Sequence, residues 1–93
     1  MKYRHYSPAC RVMLYEHEED IPISDSCGVI GFDLQQNYPY TCRIKNNLQY
    51  MKELYNFFIE ADRMELQEVW CQYPQKDNYY TAILNRLEKA AGG

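Results

Sequence analysis

Leu48, Met51, Leu54, Tyr55, Phe58 and Ala61 recur three or four residues apart, the spacing that sets side chains along one stripe of an α-helix. The segment predicts a helix over about 47–61, with Asn46 or Asn47 as its cap and Gln49 placed to complete a capping box. A helix with one apolar stripe must bury it against a second layer. Ninety-three residues leave room for one core, so the expectation is a single domain over 1–93.

The second layer reads as sheet. Residues 9–17 set Cys10, Val12 and Leu14 on one parity and Arg11, Met13 and Tyr15 on the other, and 27–34 carries Cys27, Val29, Ile30, Phe32 and Leu34. Tyr40, Cys42 and Ile44 alternate after the turn chemistry of Gln35-Gln36-Asn37-Tyr38-Pro39. Residues 64–73 fit either a helical face or a strand, and Val69-Trp70-Cys71-Gln72-Tyr73 is richer in strand formers. Asp77 or Asn78 caps a last helix over about 78–91 with Tyr80, Ile83, Leu84, Leu87 and Ala91 inward, stopped by Gly92-Gly93. The expectation is an α+β fold: a small antiparallel sheet of three strands, with a fourth at about 65–73, covered on one face by two helices and bare on the other.

Several function classes drop out. No apolar run approaches the roughly 18–20 residues that cross a bilayer, and no apolar stretch follows the basic start, so the reading is cytoplasmic with no membrane partner. Cys10, Cys27, Cys42 and Cys71 lack any C-x-x-C pair, so they read as reduced buried thiols and not as a zinc or redox site. No cofactor or metal is expected. The acidic run 16–25 lacks the alternating ligands and glycine of a calcium loop.

Cys27-Gly28-Val29-Ile30-Gly31-Phe32 resembles the Cys-Gly-Ile-x-Gly opening of N-terminal-nucleophile glutamine amidotransferases. In those enzymes the cysteine's own α-amine is the base, whereas 26 residues precede Cys27. The segment therefore reads as a glycine-interrupted core strand. A small enzyme or ligand-binding domain built on Cys27 or Cys10 with His5 or His17 stands as the alternative function, although the acids around His17 favour its cationic form.

Two features point past folding. Charge falls in blocks, with −6 over 16–33 and −4 over 53–75. Ten tyrosines are roughly three times ordinary usage, more than one small core can hold with satisfied hydroxyls. The expected function is therefore a protein-binding module, a regulator, adaptor or inhibitor of the kind phages and mobile elements encode, engaging a partner with a basic or nucleic-acid-binding surface through Tyr38, Tyr40, Glu18, Glu19, Asp20, Tyr79 and Tyr80. Aromatic-basic patches occur at Lys2, Tyr3, Arg4, Tyr6 and at Tyr40, Arg43, Lys45, but a pI near 5.3 opposes direct nucleic-acid binding. A bare sheet face or free edge gives a reason to form a homodimer.

Overall fold

The computed structural model describes residues 6–92. Four strands, β1 (Arg11–Tyr15), β2 (Cys27–Phe32), β3 (Tyr40–Ile44) and β4 (Glu68–Gln72), form one sheet in the order β1-β4-β2-β3. All three pairings are parallel. Helix α1 (Asn47–Arg63) joins β3 to β4, and α2 (Tyr80–Gly92) follows β4. The expected antiparallel meander of three strands is therefore wrong, although the α+β composition, both helices and the strand within 65–73 are present.

The reason lies in the connections. Parallel neighbours need a return path, usually a helix, and here two of the three returns are loops. Residues 33–39 number seven and reach about 24 Å when extended, enough to run back along a six-residue strand of about 20 Å. Their turn chemistry suggests a hairpin, but they lie back across the sheet. Loop 16–26 does the same between β1 and β2. In β2, Cys27, Gly28, Val29, Ile30 and Gly31 are all buried, which is the mark of a central strand covered on both faces.

The helical face holds the larger core. Val12, Ile30, Ile44, Val69 and Cys71 of the sheet meet Tyr50, Leu54, Phe57, Phe58 and Ala61 of α1 and Ile83 and Leu87 of α2. The stripe of α1 is thus rotated from expectation, with Leu48 and Tyr55 exposed and Asn47, Tyr50 and Phe57 buried. Tyr6 explains part of this: its ring meets Tyr55 edge-on at 5.6 Å and its hydroxyl bonds Asp62, so Tyr6 lies along the flank of α1. Gly28 leaves room on this face for Leu66, Tyr40 and Val69.

The ends of α1 follow from local chemistry. The Asn46 side chain accepts the Gln49 amide at 2.9 Å, while Gln49 Oε1 accepts the Lys45 amide at 2.8 Å. At the other end Glu65 N–H donates to Asp62 O and Leu66 N–H to Ala61 O, a Schellman closure with Glu65 at φ 57°, where glycine is usual.

Candidate functional site

The second face of the sheet presents Tyr15, Cys27, Val29, Gly31, Arg43, Trp70 and Gln72, and it is not bare. Ile21 from loop 16–26 and Leu34 and Tyr38 from loop 33–39 pack onto Tyr15, Cys27, Val29 and Trp70 as a smaller core. Gly31 sits beneath Tyr15, Leu34 and Gln72. A Cβ there would collide with the Tyr15 hydroxyl and lie 2.8 Å from Gln72 Oε1. Without it, the Tyr15 hydroxyl donates to Ile30 O at 3.3 Å, and the Gln72 carboxamide spans two strands, accepting the Phe32 amide at 2.7 Å and donating to Glu16 O at 3.1 Å.

Polar pins hold the two loops. Arg43 reaches up from β3, its Nε donating to Leu34 O and its Nη2 to Gln36 O and Asn37 Oδ1. Glu18 ties one loop to the other: its carboxylate accepts the Gln35 amide (2.9 Å), the Gln36 amide (3.0 Å) and the Tyr38 hydroxyl (2.7 Å). Burial pushes the Glu18 carboxyl up, but those donors together with the Arg43 guanidinium outweigh it and hold the group below its ordinary value. The Tyr38 hydroxyl is raised by burial and by its bond to that carboxylate.

Two of the seven expected contact residues, Glu18 and Tyr38, thus meet in space. Glu19 and Asp20 lie exposed beside them in a single 3₁₀ turn, Glu18–Asp20. Tyr40 belongs to the other side, its ring stacked on Phe57 at 5.2 Å. Tyr79 and Tyr80 stand at the start of α2, where the Lys76 ammonium lies 5.5 Å from the centre of the Tyr80 ring. Asn47 secures that end of the molecule, its amide group bonding Gln75 O and Asp77 Oδ1 and its Oδ1 accepting the Gln75 amide.

The cysteines are placed as packing groups. Burial raises all four thiols, Cys42 to about 11, which opposes the thiolate that nucleophilic chemistry needs. Cys27 is fully buried and points at Ser24 O, 3.9 Å away. Cys10 borders an open depression of about 520 Å³ with Ala9, Asp62, Glu65, Leu66 and Gln67, at the same amino-terminal end of the strands as Cys27. His17 is exposed, while His5, with Lys2, Tyr3, Arg4 and the stop at Gly93, lies outside the described residues. Among the described residues no group of three or more His, Cys, Asp or Glu could hold a metal, and no helix is long and apolar enough to cross a membrane.

The sequence alone gives Gln72 no role, places Arg43 only in an aromatic-basic patch and offers Asn47 only as a helix cap. For Gln72 a signal existed: it is a polar residue of a strand, half-buried on the face that the loops cover, so its amide had to find partners.

Residues 1–92 match the family model described as threonylcarbamoyl-AMP synthase, C-terminal domain. No curated protein and no solved structure matches the chain. A match over nearly every residue overturns the expectation of a regulator, adaptor or inhibitor module, because it is to a domain of a tRNA-modification enzyme family. The chain belongs to the family of threonylcarbamoyl-AMP synthase C-terminal domains.

Proposed function

We propose that this chain is the accessory domain of a threonylcarbamoyl-AMP synthase, and that it serves the reaction by holding its loop face against the module that makes the product. The observation that carries the reading is the family match over residues 1–92. The chemistry of the fold agrees: thiols raised by burial and a histidine on an exposed loop suit a docking domain better than a centre of bond formation. Glu16, Glu19, Asp20 and Asp25 stand exposed on one loop with Ile23 fully exposed among them, an acidic rim around an apolar contact that fits a basic surface with an apolar notch. A cytoplasmic location goes with this reading, as does a protein partner in place of a membrane or nucleic acid; a second copy of the chain is the competing partner.

The test is threonylcarbamoyl-AMP formation by the synthase polypeptide with and without this domain. Loss of product formation, with the remaining module still folded by circular dichroism, is the expected result. Undiminished formation would contradict the proposal.

A further inference from the structure

We propose that residues 17–25 form a strap that swings off the loop face as one unit while the helical face stays folded. The two ends of the strap are held to the sheet. Gln72 Nε2 donates to Glu16 O at one end, and at the other Ser26 O accepts the amides of Gln67 and Glu68. Between them His17, Glu19, Asp20, Pro22, Ile23 and Asp25 are exposed, and Ile21 is the side chain the strap sinks into the smaller core. The strap's own 3₁₀ turn, with Asp20 N–H bonded to His17 O and Ile21 N–H to Glu18 O, gives it local rigidity. Its tie to loop 33–39 is a single side chain, the Glu18 carboxylate.

Loop 33–39 differs: Arg43 and Thr41 of β3 fasten it directly, Thr41 Oγ1 accepting the Tyr38 amide at 2.8 Å and donating to Tyr38 O. The strap is therefore the weaker layer, held between its ends by one carboxylate, one apolar plug and the long contact from the Cys27 thiol to Ser24 O. Local opening at low cost is expected where few buried contacts hold a segment. Lifting it uncovers Cys27, whose thiol lies beneath Ser24, while Cys71 stays sealed on the helical face. The inference does not rest on the synthase reading.

The two buried cysteines report the two faces. Under native conditions a disulfide reagent such as DTNB is followed by peptide mass mapping, residue by residue. Cys27 is expected to react much faster than Cys71, and Glu18→Gln to speed Cys27 about tenfold, the scale of a lost hydrogen bond to a charged group, with Cys71 unchanged. Ile21→Ala, which removes the plug and leaves the carboxylate, should speed Cys27 as well. Equal rates at both cysteines, moving together with global stability in both variants, would overturn the strap, as would a Cys27 rate that neither variant changes.

Discussion

The two faces of this sheet are covered by different means. On one, two helices bury continuous apolar stripes, with Tyr50, Phe57, Ile83 and Leu87 essentially sealed from water. On the other, two irregular loops contribute three apolar side chains, Ile21, Leu34 and Tyr38, and depend on Glu18, Arg43 and Gln72 for position. Apolar burial is non-directional and tolerates repacking, whereas pinned loops need particular donors and acceptors. The helical face thus supplies stability, and the loop face supplies a shaped, charged surface.

The largest test of that division is Phe57→Ala, which should cost about 3–5 kcal/mol in urea unfolding and lower the transition followed by helical circular dichroism and by Trp70 fluorescence alike. Gly31→Ala comes next. Its methyl must displace the Tyr15 hydroxyl or the Gln72 carboxamide, an overpacking cost of about 1–3 kcal/mol, and it should disturb Trp70 fluorescence while the helical signal persists. Equal damage to both signals at once would erase the distinction between the faces.

Glu18 gives a smaller, pH-dependent effect. Its folded carboxyl titrates below the unfolded value of about 4.3, so its contribution is fully present above that value and is lost as pH falls through the folded one. Glu18→Gln should cost about 1 kcal/mol near pH 7, reduced by solvent screening, and progressively less as pH falls below the unfolded value and the carboxylate takes up its proton. A cost independent of pH would show that the charge is not what holds the loops. The smallest effect has the opposite sign. Glu65→Gly relieves a left-handed residue and removes an acid from the negative end of α1, and it should raise stability by about 0.5–1 kcal/mol.

Sequence reading reached the helices because their 3.6-residue period is carried by many side chains at once. Strand direction was less legible: Gln35–Pro39 has the composition of a hairpin turn, and only the unbroken burial of Cys27–Gly31 marks β2 as a central parallel strand. Periodicity favours Leu48 and Tyr55 over Tyr50 and Phe57, since apolar identity cannot reveal that Tyr6 lies against the flank of α1. At the loop face Glu18 and Tyr38 were both singled out, but twenty residues separate them, and their bond exists only because parallel topology folds both loops onto one side.

The claim that the loop face meets the rest of the synthase is tested most directly by reversing its charge. Glu19→Lys with Asp20→Lys, made in the synthase polypeptide, should lower threonylcarbamoyl-AMP formation while leaving the melting temperature of the domain unchanged. Glu88→Lys on the exposed side of α2 serves as the control and should alter neither. Product formation unaffected by the double reversal, or reduced equally by the control, would contradict the account.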